Sequence, residues 1–597
     1  MACAEVVAKL RAHGELADRP DAALHQRQRG IIWLEAERSC VVEVLGHRGE
    51  TFQVNGRHYA IVAITGLAPG SCVEYEVLLD GVRCWPEADS DWPPSRIRTL
   101  PGTGPVELVF GSCRVARPHR APYTLSPMNM SSVSASTRSM PSLFACAART
   151  STVGPTCCCC SATKSTPMRS HPRRPSSFAR TATSASPPGL EVADFEEYAR
   201  LHREAWWDPT LRWLFSTLPT AMIFDDHDVH DDWNTSAAWV QKMHTRAWWP
   251  DRIAGALAAY WIYQHLGNLR PAELERDPLL ARVRAAHDAG PLLREFALAA
   301  DCEGGGGMWS YVRDLAGSRL VVLDGREGRI LDEGQRELLD DAEWRWLAEQ
   351  TTGDFDHLVL ANTLPVLLPR TFHYLEAFSE GVCAGAWGPT AARVSEWLRQ
   401  AFDLEHWAAF QNSFHRLLAL TREIGAGRRG SAPASILFLG GDVHQGYLHE
   451  AAFRPAAGVR SVVYQAVCSP FRNPLPRLDL LESTTSPSRS ATLIQQSPTN
   501  TRTGGSWRWA AGRASVRFGQ GALRRRSNPF SDSLRSSRQS SVFGSDAPLG
   551  DDVPEHELER YSRRRDVQMR RRLVQVSRSW TRIDELRVRV TCASGYS

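Results

Sequence analysis

Apolar and polar residues alternate with a period of two between residues 31 and 102. The alternation is clearest at Val41–Leu45, His58–Val62 and Val73–Val77, and Gly and Pro residues separate these runs. Side chains of a β-strand point alternately to the two faces of a sheet, so a half-buried strand shows this period. Residues 31–102 are therefore predicted to form an antiparallel β-sandwich, preceded by a helical extension over residues 1–30.

Short apolar runs alternate with long helical patterns between residues 103 and 477. Buried strands separated by helices predict a layered α/β core. In such cores, ligand chemistry lies at the carboxyl ends of the strands. The predicted strands are Val106–Phe110, Ala221–Phe224, Leu320–Leu323, Leu358–Leu360 and Ile436–Leu439, and the clearest helical patterns are Phe195–Leu218, Trp239–Leu266 and Ala391–Ile424.

The last part of the chain, residues 478–597, has a different composition. Ser, Arg, Thr, Pro and Gly dominate to about residue 550, and apolar periodicity fades. Such a composition offers little apolar surface to bury. We therefore predict a tail that is largely disordered or translated out of frame.

Composition and charge mainly exclude some classes of protein. The 597 residues carry a net charge of +4, too small for this size to indicate sequence-specific binding of nucleic acid. No apolar run approaches the roughly 20 residues of a membrane span, and the first 30 residues lack the apolar core of a signal peptide. The chain is therefore predicted to be cytoplasmic. Its 14 cysteines belong to a chain too long for a small disulfide scaffold.

The densest chemistry lies between Ile223 and Asn234. The carboxylates there repel one another, and each loses hydration when it is buried. A bound cation offsets both costs, so the segment predicts a metal site at the carboxyl edge of a sheet. Six side chains of metal-ligand type follow the apolar run: Asp225, Asp226, His227, Asp228, His230 and Asp231.

A second Asp/His motif follows the strand predicted at Ile436–Leu439. Asp442 and His444 stand two residues apart, so in an extended loop they point the same way and can share a cation. A hydrogen-bonded Asp–His pair at a strand end is the alternative interpretation.

Two further residues carry weaker signals. Cys113 follows the strand predicted at Val106–Phe110, and a thiolate there could bind a soft or ferric ion. On the residue alone, a small buried cysteine is the favoured interpretation. His373 could line the pocket, although a core histidine is favoured.

Four segments taken together resemble the PhoD-like alkaline phosphatases of the metallophosphatase superfamily: Phe110–Cys113, Ile223–Asn234, Leu439–His444 and Val467–Pro474. The resemblance covers about residues 31–477. It implies a four-layer α/β/β/α core behind the β-sandwich, in which the turn Thr65–Gly70 resembles that of fibronectin type III modules, although a generic hairpin is the alternative. It also implies hydrolysis of phosphate monoesters or diesters at a cluster of Ca²⁺ and Fe³⁺.

Carried over residue by residue, the resemblance implies that Cys113, Asp226, Asp442 and His444 bind metal, and that His227 stands near the leaving group. The cations then neutralise phosphate oxygens and activate a bridging water, which attacks phosphorus in line. His227 stabilises or protonates the departing alkoxide.

One motif of the family, Gly-Asp-x-x-Tyr-x-Asp, is missing between Cys113 and Asp226. The interval instead holds a segment rich in Ser, Thr, Arg and Cys, about residues 128–186. Its Cys157–Cys160 run cannot point four adjacent thiols at one ion from a strand or helix. With suitable synonymous codons, however, Cys157–Pro172 read one base earlier encodes Leu-Leu-Leu-Leu-Gly-Asp-Gln-Val-Tyr-Ala-Asp. We therefore predict an out-of-frame segment, which resequencing of the gene tests.

Two alternatives to an active phosphatase stay open. The chain could be a catalytically impaired relative whose folded metal site lacks the bridging Asp. It could also be another metallohydrolase, because Asp/His clusters recur on unrelated folds.

Overall fold

The computed structural model describes residues 9–13, 29–100, 106–113, 156–159, 188, 191–303, 309–443, 446–469, 516–518, 578–583 and 586–591. In these ranges, no helix combines the length and the apolar character that crossing a membrane requires. His444 lies outside the described residues, as do most of residues 128–186 and most of the chain after residue 477.

Ten short strands form a β-rich unit at the start of the chain. They pair in two four-stranded sheets, of order β1-β2-β6-β5 and β4-β3-β8-β9, and a β10-β7 pair. The strands are β1 (Lys9–His13), β2 (Arg29–Ala36), β3 (Val41–Val44), β4 (His47–Glu50), β5 (Phe52–Val54), β6 (Arg57–Ile64), β7 (Cys72–Glu74), β8 (Val77–Leu79), β9 (Val82–Trp85) and β10 (Arg96–Arg98).

Strand β2 is buried on both faces, which explains its unbroken apolar run. Ile32 and Leu34 pack into the core between the two sheets. Ile31 and Trp33 point the other way, into the core shared with the rest of the chain. The β-rich unit is therefore joined to the following α/β part by a continuous apolar core.

The helical extension predicted for residues 1–30 is wrong where the structure describes it. Lys9–His13 is a strand that pairs antiparallel with β2, in the register Lys9 to Trp33 and His13 to Arg29. Polar and apolar residues alternate at these five positions. An open edge of β2 supplies backbone partners that an isolated short helix would lack.

Eleven α-helices follow in the described residues. The long pattern predicted at Phe195–Leu218 is divided because Asp208 caps a new helix and Pro209 occupies its first position. The helices are α1 (Phe195–Trp206), α2 (Pro209–Thr217), α3 (Ala237–His244), α4 (Trp249–Tyr260), α5 (Pro271–Arg276), α6 (Pro278–Ala285), α7 (Gly290–Glu303), α8 (Asp341–Gln350), α9 (Arg370–Cys383), α10 (Pro389–Ala401) and α11 (Gln411–Gly425).

Two further sheets accompany these helices, of order β13-β12-β11-β20 and β14-β15-β16-β17-β19-β18-β22-β21. All five strands predicted in this part are present, within a few residues. The strands are β11 (Val106–Gly111), β12 (Thr156–Cys159), β13 (Thr220–Ala221), β14 (Tyr311–Leu315), β15 (Ser318–Val322), β16 (His357–Ala361), β17 (Ser435–Gly440), β18 (Gly446–Phe453), β19 (Val462–Cys468), β20 (Val516–Phe518), β21 (Arg578–Ile583) and β22 (Leu586–Thr591).

The central strands of the eight-stranded sheet run parallel and are buried on both faces. Leu437 and Leu439 of β17 belong to the core that includes β11 and helices α1, α4 and α7. Ile436 and Phe438 of the same strand face a second core with α8 and α11. The fold is therefore mixed α/β behind a β-rich unit, and the parallel strands bring their carboxyl ends to one edge.

Strand β12 falls on the segment predicted to be out of frame. It lies parallel between β11 and β13, with Gly111 opposite Cys159 and Ala221 opposite Cys158. The chain therefore fills the sheet position between the two strands that lead to Cys113 and Asp225. The reading frame itself stays a prediction.

Parts of the predicted tail also form strands. Strand β20 pairs with β11, and β22 pairs with β18. The tail predicted to be largely disordered or out of frame therefore contains short strands, which complete the edges of two sheets. The rest of the tail lies outside the described residues.

Candidate metal centre

The ends of β11, β17 and β19 meet at one point. The backbone N–H of Ser112 donates to the Cys468 carbonyl at 3.1 Å, and the N–H of Asp442 donates to Ser112 Oγ at 3.0 Å. The thiol of Cys113 donates to the Asp442 carbonyl at 3.7 Å. These contacts cross between the two sheets, so they hold Cys113 and Asp442 side by side.

The approach of the two strand ends is close enough to require glycine at position 441. A Cβ atom on Gly441 would lie 2.4 Å from Ser112 Oγ. Cys113 follows Ser112, and Asp442 follows Gly441. Both adopt left-handed backbone conformations, with φ of 54° at Cys113 and 58° at Asp442. Such conformations are costly for residues other than glycine and occur most often at functional sites.

The Asp/His segment leaves β13 and forms a 3-10 turn over Asp226–Asp228. Asp228 holds this turn from within: its Oδ2 accepts from the Asp225 N–H at 3.1 Å, and its Oδ1 accepts from Gln264 at 2.8 Å. Burial raises the pKa of Asp228 well above its usual range. This carboxyl group therefore supports the turn from the protein interior.

The turn presents Asp226 and His227 toward the end of β17. Asp226, His227 and Asp442 each offer one ligand atom, and these atoms all lie within 4.8 Å of one another. Asp226 and His227 are buried, and Asp442 is partly exposed. Three donors from two distant segments thus converge at the strand edge.

A buried arginine stands among these carboxylates. Arg326 is fully buried, and its NH2 group lies 2.7 Å from Asp225 Oδ1, 3.2 Å from Asp226 Oδ1 and 3.3 Å from Asp442 Oδ2. Its NH1 group pairs with Glu405, which also accepts from Arg329 at 2.9 Å. One guanidinium therefore contacts four acidic side chains.

The neighbouring carboxyl groups respond differently to this environment. Burial raises the pKa of Asp225 well above its usual range, although Arg326 acts in the opposite direction. Burial also acts to raise the pKa of Asp226, but Arg326 and His227 outweigh it and hold the pKa below its ordinary value. Asp226 is therefore the ionised ligand-type carboxylate of the pair.

The donor set fits a hard cation. Among the described residues, four acidic side chains, those of Asp225, Asp226, Glu405 and Asp442, pair with two guanidinium groups, those of Arg326 and Arg329. Carboxylate oxygens with an imidazole nitrogen suit divalent or trivalent metal ions. A buried excess of acidic groups is costly unless a further cation or protons balance it.

The sequence-predicted residues separate into distinct environments. Asp226, His227 and Asp442 converge, and Cys113 touches the Asp442 backbone. Asp231 lies 3.2 Å from His227 Nε2. His230 turns away to Glu191, 3.5 Å from its Nε2, and stacks near Trp248. His373 is buried with its ring 4.8 Å from Phe414, as predicted for a core histidine.

Sequence reasoning missed Arg326, Glu405 and His406. Arg326 follows the end of β15 by four residues and stands two residues after Asp324. A charged residue just past a buried strand was the signal that could have found it. Glu405 and His406 lie between helices, with no strand before them, so only the fold brings them to the site.

Comparison with known proteins gives two family matches. Residues 172–506 match the PhoD-like phosphatase family, and residues 24–97 match a domain of unknown function, DUF7800. No curated protein sequence matches the chain.

Solved structures that align with the chain include two phosphatases. The structure of PhoD aligns with a TM-score of 0.47 and 13% identity, over 78% of this chain and 76% of that one. The purple acid phosphatase PPD1 from yellow lupin (Lupinus luteus) seeds aligns with a TM-score of 0.37 and 8% identity, over 77% of this chain and 64% of that one. The PhoD-like match alone spans more than half of the 597 residues. The chain therefore belongs to the PhoD-like phosphatase family.

Proposed function

We propose that this chain hydrolyses phosphate monoesters or diesters at a metal centre held by Asp226, Asp442, Cys113 and His444. The observation that carries the proposal is the convergence of Asp226, His227 and Asp442 at the edge where β13 and β17 end. We also infer the four-layer α/β/β/α order, which the apolar cores on both faces of the eight-stranded sheet support.

Each proposed ligand suits a different part of the centre. The carboxylates of Asp226 and Asp442 suit Ca²⁺, and the thiol of Cys113 suits a ferric ion. His444 enters the ligand set by resemblance to the family. When bound, the metals polarise the phosphate and supply a nucleophilic water near neutral pH.

His227 is the proposed proton donor to the leaving group. Its Nε2 atom lies 3.2 Å from Asp231 Oδ1, a contact that fixes the orientation of the ring. A histidine held beside the phosphorus-bound leaving oxygen can protonate the departing alkoxide. Arg326 keeps the Asp226 carboxylate ionised and in place, because it pairs with Asp226 and Asp225 together.

Hydrolysis of p-nitrophenyl phosphate and of its bis ester, with Ca²⁺ and Fe³⁺ added, tests the proposal. Asp226→Asn and Asp442→Asn should each abolish both turnover and bound metal, the latter measured by mass spectrometry of the protein-bound ions. Asp354→Asn is the matched control, because this exposed carboxylate accepts from the Ser431 N–H at 2.7 Å and is not among the proposed ligands. Full turnover by the Asp226→Asn protein would refute the proposal.

The role of His227 has its own signature. His227→Gln should lower kcat by roughly 10²–10⁴-fold for alkyl phosphate esters. The loss should be much smaller for p-nitrophenyl phosphate, whose leaving group departs without a proton. Equal losses for both substrates would argue against proton donation and for a role of His227 in metal binding.

One observation favours a second candidate, the catalytically impaired relative. Arg326 already pairs with Asp225, Asp226 and Asp442, so a guanidinium balances part of the charge that a metal would balance. Absence of bound metal and of turnover in the wild-type chain, under conditions that load other metallophosphatases, would support this candidate. A corrected reading frame across residues 128–186 should then restore both.

A further inference from the structure

His406 lies beside the site with its ring fixed from one side. Its Nδ1 atom is 2.6 Å from Glu376 Oε1, and Glu376 is a buried residue of α9. The next residue, Trp407, is fully buried and begins a 3-10 turn. A histidine held by a carboxylate on one nitrogen presents the other nitrogen in a defined direction.

The Nε2 edge of the ring differs from the Nδ1 edge in its hydrogen bonding. His406 Nε2 is buried and makes no hydrogen bond within the part of the chain that the structure describes. Burial acts to lower the pKa of His406, but Glu376, Asp442 and Glu405 outweigh it and raise the pKa to about 9. These carboxylates therefore favour the imidazolium form of the ring, and the candidate ligand Asp442 is among them.

The chemistry of this nitrogen selects its ligand. An imidazolium carries a proton on both nitrogens, so it donates hydrogen bonds and cannot bind a metal. A buried N–H without an acceptor is unfavourable, and an anionic oxygen is the acceptor that gains most from a charged donor. A phosphoryl group bound at the neighbouring metal centre brings such oxygens.

We propose that His406 contacts the substrate, donating from Nε2 to a non-bridging oxygen of the phosphoryl group, and that Glu376 is its positioning residue. This inference rests on the proposed phosphatase function. It assigns to α9 a part in the site, because the helix supplies the carboxylate that orients the donor.

Two variants of the full chain, loaded with metal, test the contact kinetically. His406→Gln should raise KM for p-nitrophenyl phosphate and the inhibition constant of inorganic phosphate together, by roughly tenfold, as expected for loss of one charge-assisted hydrogen bond. Phosphate affinity should fall at alkaline pH as His406 loses its proton. Glu376→Gln should shift that fall to lower pH, because the neighbouring carboxylate is removed. His244→Gln is the matched control: it removes another histidine–carboxylate pair, with Asp301 at 3.0 Å, that joins α3 to α7.

A binding measurement separates this inference from the proposed function. In wild-type protein with ¹⁵N-labelled histidine, inorganic phosphate should shift the His406 Nε2 signal, which the His406→Gln spectrum identifies. This readout needs no turnover. If the His406→Gln protein unfolds, the Glu376→Gln spectrum identifies the signal instead, because that variant changes the partner of the same ring. A chain that hydrolyses esters but shows no shift and no change in KM would overturn the role of His406. If the chain shows the shift but no hydrolysis, the contact between His406 and phosphate stands and the proposed phosphatase activity is refuted.

Discussion

At the scale of single residues, charge balance dominates the centre. Arg326 is fully buried yet contacts four acidic side chains, which three different segments of the chain contribute. A buried ion pair adds little stability compared with apolar residues of the same size, but breaking it leaves charges that nothing compensates. Arg326 should therefore contribute most to the free energy of unfolding when no metal is bound.

Replacement of Arg326 tests this balance. Arg326→Met should lower the free energy of unfolding of the metal-free protein by about 3–5 kcal/mol, because acidic groups stay buried without their cation. Added Ca²⁺ should recover more stability in the variant than in the wild type. Urea unfolding with and without a chelator measures both effects.

The control for this experiment is Arg416→Met. The Arg416 side chain is 42% exposed and its guanidinium lies 3.1 Å from Glu337, so its removal should cost about 1 kcal/mol or less. If Arg326→Met unfolds at the wild-type urea concentration, the guanidinium does not compensate the acidic cluster.

A second residue-scale effect concerns acid stability. His449 is buried on β18, neither ring nitrogen has a hydrogen-bond partner among the described residues, and burial lowers its pKa to about 3. The unfolded chain takes up a proton near pH 6.5, whereas the folded chain does not. This histidine therefore causes stability to fall as the pH drops from about 6.5 toward 3.

Replacement of His449 by Phe removes this titration. The free energy of unfolding of the wild-type protein should fall by about 2 kcal/mol between pH 7.5 and pH 5 because of His449, at about 1.4 kcal/mol for each pH unit below 6.5. His449→Phe should lack that part of the loss in urea unfolding at the two pH values. The exposed His287 provides the control, and His287→Phe should keep the wild-type dependence. Parallel pH curves for wild type and His449→Phe would contradict the assignment.

At the scale of elements, the site depends on how closely the ends of β11 and β17 approach each other. Gly441→Ala places a methyl group 2.4 Å from Ser112 Oγ, so the strand ends must separate and Asp442 must move. We expect a cost of about 1–3 kcal/mol for the overpacking, and a loss of Ca²⁺ affinity measured by calorimetric titration.

Gly381 of α9 supplies the matched control. A Cβ atom there meets nothing within 4 Å, and alanine stabilises a helix interior by roughly 0.5–1 kcal/mol relative to glycine. Gly381→Ala should therefore bind Ca²⁺ as the wild type does. Unchanged Ca²⁺ affinity in Gly441→Ala would show that the strand ends do not set the position of Asp442.

Elements differ in how far the sequence predicts them. Residues Ile436–Leu439 of the central strand β17 are all apolar because both faces of that strand are buried, and this signal is local. The predicted helix Trp239–Leu266 is instead divided into α3, α4 and a π turn at Trp261–His265. The packing of Trp249 against Trp239, with ring centroids 5.6 Å apart, belongs to the fold and is not visible in periodicity.

At the scale of the whole molecule, the β-rich unit and the α/β part share one core. Trp33 of β2 packs its ring 6.0 Å from Trp206 and 5.3 Å from Tyr263. Tyr263 donates to Glu35 at 3.1 Å, and Arg57 bridges Glu35 and the helix α1. The two parts should therefore unfold together.

Trp33→Ala tests this coupling. The cavity should lower the free energy of unfolding by about 3–5 kcal/mol, and tryptophan fluorescence and far-ultraviolet circular dichroism should report one shared transition. Trp397→Ala removes a side chain that is 65% exposed, so its effect should be within about 0.5 kcal/mol. A separate, earlier transition of the β-rich unit would contradict the shared core.

The sequence by itself determined the features that depend on residues close together along the chain. Period-two alternation predicted the β-rich unit, unbroken apolar runs predicted the buried parallel strands, and the Asp/His segment after β13 marked the candidate site. These signals are local because burial of a strand and repulsion between adjacent carboxylates act over a few residues.

Only the tertiary structure decided which residues share the site. Asp226 and Asp442 meet although 216 positions separate them, because the two sheets share one core and the ends of β13 and β17 come together beside it. Arg326 and the His406–Glu376 pair join them from other segments. A buried charge is matched by whatever lies nearest in space, and proximity in space between distant segments is a property of the fold.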